Sequence, residues 1–588
     1  MTARPTIHYR IAVADPHAHR FEVTLTVPAP DPRQVLSLPV WIPGSYLVRE
    51  FSRHLGAVTA RQGPREVPVT QTAKNRWEFE CAGRGALVIS YAVYAFDTSV
   101  RAAFLDAGRG FFNATSLCLR AHGKDELPHR VELTGLPPDW DIATAMAPVE
   151  GAPGQFEAAG YDELADHPFE LGTFWRGEFV AGGVPHEFVV SGALPIFDGE
   201  RLLRDAQKLC EAQIAFWHGA KGRPPMSRYV FLLNCTDDGY GGLEHRASTA
   251  LIASRRDLPR LGQTEVSDGY VKLLGLISHE YFHTWNVKRL RPDAFERYDY
   301  EQEHYTDLLW FFEGFTSYYD DLFLVRSGLI DEARYLKLIA HTFTQVLGAP
   351  GRKHHSVARS SFEAWTKYYR QDENTPNAVV SYYAKGSMVA LALDLSLRGA
   401  EKCDKPASLD DLMRALWKDT GGGPVSEARI LARLAELGGE TIAQTLAGWV
   451  HGTEDLPLPP LLERLGVRWC LDKPTLAQRL GLRVSEADGI VTIKNVLLDG
   501  AGLAAGLSPG DELVACNGWR VRKLDDLPLT LDTSDPHHLE LLVTRDQRML
   551  TLVLTLPTQD SAARPVCLGL LDKAPARAQG LRRAWLGG

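Results

Sequence analysis

Long apolar runs are missing from this 588-residue chain, and none approaches the roughly 18 residues that would span a bilayer. The opening stretch, MTARPTIHYRIAVADPHAHRF, has no apolar core of the kind a secretory leader carries. With no span and no leader, the sequence predicts a cytoplasmic protein without a membrane partner. Basic charge is also in short supply. The 64 Lys and Arg residues are outnumbered by 73 Asp and Glu, the net charge is −9 and the isoelectric point is near 6.1, which argues against nucleic acid as a partner. Clustered cysteines are absent. The eight thiols, Cys81, Cys118, Cys210, Cys235, Cys403, Cys470, Cys516 and Cys567, form no CxxC pair and read as reduced, mostly buried groups. No internal repeat marks a solenoid. What remains is ordinary globular composition, 45% hydrophobic and 23% charged, at a length that calls for three or four domains.

The hydrophobic period changes twice along the chain. FEVTLTV (Phe21–Val27) alternates with period two, ALVISYAVYAF (Ala86–Phe96) is rich in β-branched and aromatic residues, and GEFVAGGVPHEFVVSG (Gly177–Gly192) reads as a hairpin turning at Gly182-Gly183. These predict an all-β domain over 1–190. From GERLLRDAQKLCEAQIAFWHG (Gly199–Gly219) to about residue 455, helical spacing dominates, interrupted by the strand RYVFLLNC and the glycine-rich DDGYGGLEH. Prolines then cluster around Pro457–Pro460, predicting a linker over 456–470. Short strands and turns fill 471–570, and a mildly basic stretch, 571–588, reads as a frayed tail.

The sharpest chemical signal is LLGLISHEYFHTWNVKRLRP, Leu273–Pro292. On a helix His279 and His283 are one turn apart on one face, where a single ion can bridge them. Glu280 is rotated about 100° away, beside the metal but not on it, and suits a base for a metal-activated water. Val271, Leu274, Tyr281, Phe282 and Trp285 supply an apolar stripe, and Ser267 or Asp268 can cap the helix. A catalytic zinc needs a third protein ligand. Glu303 sits among polar neighbours, where a carboxylate needs no partner. Glu313 sits among Trp310, Phe311, Phe312 and Phe315, where an ionised carboxylate is costly unless a cation offsets it. Burial therefore favours Glu313 over Glu303.

HEYFH followed by WFFEGFTSYY resembles the gluzincin metallopeptidases. GYGGLEH (Gly239–His245) resembles the amine-binding motif of the M1 aminopeptidases, and YYAKGSMVALALDLSLR (Tyr382–Arg398) resembles their Tyr-x-Lys-Gly segment. LPVWIPGSYLVREFSRH (Leu38–His54) and the C-terminal module are not M1 features. Together these segments look like the M61 glycyl aminopeptidase family, and the resemblance covers most of the chain. It implies a multi-domain α+β protein with an N-terminal all-β domain, a thermolysin-like helical catalytic domain over 191–455 and a PDZ-like β domain. By the same resemblance, zinc is held by His279, His283 and Glu313, Glu280 is the catalytic base, and Tyr383, with Tyr382 as its fallback, stabilises the oxyanion. Glu244 would bind the substrate's α-amine beside the Gly241-Gly242 backbone. Leu243 and His245 depart from the M1 pattern. The implied activity is removal of N-terminal residues, with a preference for glycine or alanine, from peptides with a free N-terminus.

AGLAAGLSPGDELVACNGWRV (Ala501–Val521) carries the glycines and the Asn517-Gly518 turn of a PDZ core, with GIVTIKNV (Gly489–Val496) as the expected peptide-pairing strand. Two rival readings follow from the same residues. One is a zinc endopeptidase in which Glu244 is only structural; the other is a PDZ-based peptide-binding adaptor with a vestigial peptidase domain.

Overall fold

The structure, a computed structural model, describes residues 5–83, 85–399, 407–532, 534–557 and 563–587. They form two compact units, Met1–His304 with Trp417–Val425 and Tyr305–Leu416 with Ser426–Gly588.

The first unit begins with β sheets. Strands β1 (Ile7–Asp15), β2 (Arg20–Val27), β3 (Leu87–Tyr94) and β4 (His129–Thr134) form the centre of an eight-stranded sheet in the order β4-β1-β2-β3. Tyr9 stands opposite Leu25 and Val131, and Val23 opposite Tyr91. Because successive side chains alternate between faces, Ile7, Tyr9, Ile11, Phe21, Val23, Leu25, Ile89 and Tyr91 all enter one core. The strands β5 (Trp175–Ala181) and β6 (Val184–Ser191) form the expected hairpin, with Gly182 and Gly183 both at positive φ.

That hairpin, however, joins a separate five-stranded sheet instead of closing the first. With β7 (Tyr229–Thr236), β8 (Tyr240–Glu244) and β9 (Ser248–Ser254) it gives a five-stranded sheet ordered β5-β6-β7-β9-β8. The Tyr240–Glu244 strand is the edge. Helix α1 (Gly199–His218) packs on helix α2 (Asp268–Phe282) through the Gln213 amide, which donates to the Ser278 carbonyl and hydroxyl at 2.9 Å. The Tyr270 hydroxyl donates to Asp205, and Tyr281 meets His186 Nε2 at 2.8 Å, so α2 is fastened to both the helix and the sheet.

In the second unit, helices α3 (Leu309–Phe312), α4 (Gly314–Arg326) and α5 (Ala384–Arg398) carry the FFEGF and YYAKG segments. Two strands, β10 (Val467–Leu471) and β16 (Val566–Leu570), bracket a sheet made of β11 (Leu482–Ala487), β12 (Ile490–Val496), β13 (Glu512–Cys516), β14 (His538–Arg545) and β15 (Arg548–Thr555). Its order is β11-β12-β13-β14-β15, around a core of Leu482, Val491, Ile493, Leu513, Leu541 and Val543. The strand expected to pair with a peptide, β12, is flanked on both sides, by β11 and β13. The Asp488-Gly489 turn before it is a tight hairpin with both residues at positive φ. A further strand would have to add at an outer edge.

Three expectations fail in this unit. Cys470 and Cys567 are not reduced thiols. They face each other across β10 and β16 with Cα atoms 5.0 Å apart, and they form a disulfide. The proline cluster is not an open linker. Leu458–Glu463 is a short helix with proline in its first turn, where no amide donor is needed, and Leu458, Leu461 and Leu462 are buried. Nor is the tail frayed, because Ala576–Leu586 is helical and buries Trp585, whose indole N–H donates to the Tyr318 hydroxyl at 2.9 Å. No helix among the described residues is long and apolar enough to cross a membrane.

Candidate metal centre

Helix α2 is capped by Ser267, whose hydroxyl accepts from the Tyr270 amide, and it ends at Phe282 with His283 as its C-terminal cap. The helical hydrogen bond from the His283 amide to the His279 carbonyl is kept, so the two rings stay one turn apart. Their Nε2 atoms lie 3.1 Å apart with the ring planes near perpendicular. His283 Nδ1 is 2.7 Å from the Asn286 carbonyl and must donate to it, which leaves Nε2 as a lone-pair donor. Two imidazoles turned toward each other in this way fit a divalent ion. At ordinary zinc–nitrogen lengths of about 2.0–2.1 Å a single ion reaches both.

Beside them, β8 brings a second acidic group. Ligand atoms of Glu244, Glu280 and His283, all buried, lie within 4.8 Å of one another. Two buried carboxylates this close repel, and the arrangement favours a cation between or beside them. Glycine is what permits the approach. A β-carbon on Gly242 would stand 2.5 Å from Glu280 Cγ and nearer still to its carboxylate. A β-carbon on Gly44, in the Ile42–Ser45 turn of the WIPGSY segment, would stand 2.5 Å from Glu244 Oε1. Gly44 also has φ +95, which favours glycine on conformational grounds. The Arg101 guanidinium donates to the Gly242 carbonyl at 3.1 Å.

Behind Glu244 lies a buried ion network. Lys288 Nζ is 2.7 Å from Asp166 Oδ1, the Arg246 amide donates to Asp166 Oδ2 at 2.9 Å, and His245 Nδ1 is 3.3 Å from Oδ1. Burial alone would raise the Asp166 carboxyl, but Lys288, then Arg246 and His245, hold it well below its usual range. Burial pushes His245 down to about 4, so the ring is neutral at pH 7.

In the second unit, Glu313 ends α3 and is 2% exposed, among Trp310, Phe311, Phe312 and Phe315, as its neighbours in sequence predict. Gly314 and Gly386 bring α4 and α5 together. A β-carbon on Gly314 would lie 2.6 Å from Gly386 Cα, and one on Gly386 would lie 2.8 Å from Gly314 Cα. This contact sets Glu313 close to the tyrosines at the start of α5. Burial first, and then the Glu313 carboxylate, push the Tyr383 phenol well above its usual value, so it stays protonated as a hydrogen-bond donor. Tyr382 stacks on Tyr383 with ring centroids 4.7 Å apart, and the Tyr368 ring packs tilted against both. Glu303 is half-buried in an irregular segment of the first unit.

The family model for the peptidase M61 N-terminal domain matches residues 8–173, and that for M61 glycyl aminopeptidase matches residues 272–389. A crystal structure of an aminopeptidase N family protein from Idiomarina loihiensis is 38% identical, covers 98% of this chain and 99% of its own, and superposes with a TM-score of 0.91. The chain belongs to the M61 glycyl aminopeptidase family. It is a metalloaminopeptidase, a peptide hydrolase. An M1 zinc metallopeptidase from Deinococcus radiodurans is 17% identical over 78% of this chain and 95% of its own, with a TM-score of 0.47. No curated protein matches.

In this M61 chain the first unit brings Glu244, Gly241, Gly242, His279, Glu280 and His283 together, and within the second unit Glu313 lies close to Tyr383. Gly44, Arg101, Asp166 and Lys288 were not singled out by sequence as site residues. The WIPGSY segment was a signal for Gly44. The others carry no local signature.

Proposed function

We propose that the chain is a zinc-dependent aminopeptidase that removes the N-terminal residue of peptides, with a preference for small residues such as glycine and alanine. The observation that carries this reading is the seating of Glu244 beside Glu280 and His283, with ligand atoms of the three within 4.8 Å of one another. His279, His283 and Glu313 are the proposed ligands of the zinc. When bound, zinc would supply Lewis-acid polarisation of the scissile carbonyl and lower the pKa of a bound water toward about 7.

The protein's own groups do the rest. Glu244 accepts hydrogen bonds from the substrate α-ammonium and fixes the chain end. The open edge of β8 next to Glu244 orients the first peptide group. Glu280 takes a proton from the attacking water and hands it to the leaving amine. The Tyr383 hydroxyl, kept protonated by burial, donates to the oxygen that gains charge. A small first residue suits a site whose amine anchor is pressed against the Gly44 turn.

The C-terminal sheet is read as PDZ-like on Gly502, Gly506, Asp511 and Asn517-Gly518, with an extended peptide as its ligand at an outer edge of that sheet. The cytoplasm is the proposed location. The Cys470–Cys567 bond is the feature that tests it, since reducing compartments rarely keep such bonds.

The function is tested with glycyl-anilide and N-acetylglycyl-anilide, each with and without chelator. An aminopeptidase hydrolyses the first and loses nearly all activity on the second. Equal turnover of both identifies an endopeptidase, and chelator-independent turnover or none at all rejects the zinc enzyme.

A further inference from the structure

The edge strand has two ends. One is Glu244, buried under Gly44; the other, around Tyr240 to Gly242, carries positive charge. Arg101 Nη2 donates to the Gly242 carbonyl at 3.1 Å, so that carbonyl points away from β9 and toward the open side of the sheet. Arg101 Nη1 lies 3.7 Å from where a β-carbon of Gly241 would stand. Its Nε is buried with no hydrogen-bond partner, and no carboxylate pairs with Arg101 among the described residues. Lys272 Nζ sits 4.2 Å from the Tyr240 ring centroid and adds a second cation at the same end.

We propose that Arg101 recognises the C-terminal carboxylate of the substrate, which makes this enzyme selective for dipeptides. The inference rests on the aminopeptidase reading above and names the substrate class of the same site. A peptide whose amine is held at Glu244 and which pairs antiparallel with β8 runs toward Gly241. From Glu244 to the Gly241–Gly242 level is two to three strand steps, about 7–10 Å. An extended dipeptide spans about 7 Å, and a hydrogen bond at each end closes the fit. A free carboxylate arriving there meets a guanidinium that has no acidic partner. A longer chain brings a neutral amide to the same place and has to displace Arg101 from the Gly242 carbonyl to continue.

The test compares glycyl-leucine with glycyl-leucine amide, following kcat and KM of the metal-loaded full chain, with glycyl-anilide as a carboxylate-free reference. Wild type should favour the free acid by about 10- to 100-fold in kcat/KM, carried mainly in KM, the range expected of one charge-assisted pair. In Arg101→Ala the acid-to-amide ratio should fall toward one, and in Arg101→Lys it should lie between. Should Arg101→Ala fail to fold, Arg101→Gln, which can still reach Gly242, carries the test in its place. A wild-type ratio below about two, or a variant that keeps the wild-type ratio, overturns the assignment to Arg101. Failure of wild type to cleave glycyl-anilide overturns the aminopeptidase reading instead, so the two failures are told apart.

Discussion

Gly242→Ala adds one methyl group at the point where β8 passes α2. The backbone can accept alanine there, because Gly242 is not among the residues at positive φ. The space cannot. The new β-carbon would stand 2.5 Å from Glu280 Cγ, whereas two carbons in ordinary contact are separated by about 3.5 Å or more. Glu280 therefore has to swing by about 1 Å. The obstruction is a side chain and not backbone, so the fold should yield at a cost of about 1–3 kcal/mol, as for modest overpacking.

Catalysis should suffer more. A base displaced by about 1 Å from its proton loses on the order of 100-fold in rate, or about 2.7 kcal/mol of transition-state stabilisation. The three atoms nearest the added methyl all belong to Glu280, so metal content should stay near wild type. Steady-state kinetics on glycyl-anilide, metal analysis by mass spectrometry and a thermal melt check all three points. A variant whose kcat stays within threefold of wild type would show that Glu280 is not the positioned base. Activity lost only in step with metal would show that the methyl acts on the ligands.

Two further expectations concern stability. Asp166→Asn leaves Lys288, which is 4% exposed, without its counter-ion, and should destabilise the fold by about 3–5 kcal/mol at pH 7. The Asp166 carboxyl is held below its unfolded value, so its contribution is present above pH 4 and fades as pH falls below it. The gap between variant and wild type in urea melts should therefore shrink below about pH 4, and a gap independent of pH would refute the assignment. The Cys470–Cys567 bond, 97 residues apart in sequence, should contribute about 3–5 kcal/mol, with a lower melting temperature after reduction. Titration of the unreduced, denatured chain should find two thiols fewer than the eight cysteines of the sequence, and eight would refute the bond.

What could be read from sequence was local in the chain. His279 and His283 are one helical turn apart, so a spacing rule sufficed, and Ser267 as cap followed from the residues beside it. Glu313 was expected to be buried because its immediate neighbours are aromatic, and it is. The contacts that escaped notice join segments far apart. Gly44 meets Glu244, Arg101 meets the Gly242 carbonyl, and Asp166 meets Lys288, each pair set together by the packing of the first unit and by no motif. The disulfide escaped for the same reason, since only the register of β10 against β16 sets Cys470 opposite Cys567. The strand β12 was misjudged because alternation reports that a strand is half-buried, not whether its edges are taken.

Those distant contacts bear on why the proposed site should act only at a chain end. An endopeptidase needs its edge strand open along its whole length, so that substrate can run past the scissile bond in both directions. Here segments preceding the five-stranded sheet in sequence reach that edge strand at two places. The Gly44 turn lies against the Glu244 carboxylate so tightly that even a methyl group would not fit. If Glu244 holds the amine as proposed, a residue placed before the bound one would have to pass through that turn. At the other end Arg101 occupies the Gly242 carbonyl, where the next peptide group of a long substrate would pair. Selection for chain ends on this reading comes less from the metal ligands than from one glycine and one arginine of the N-terminal β region, and both can be changed without touching the HExxH helix.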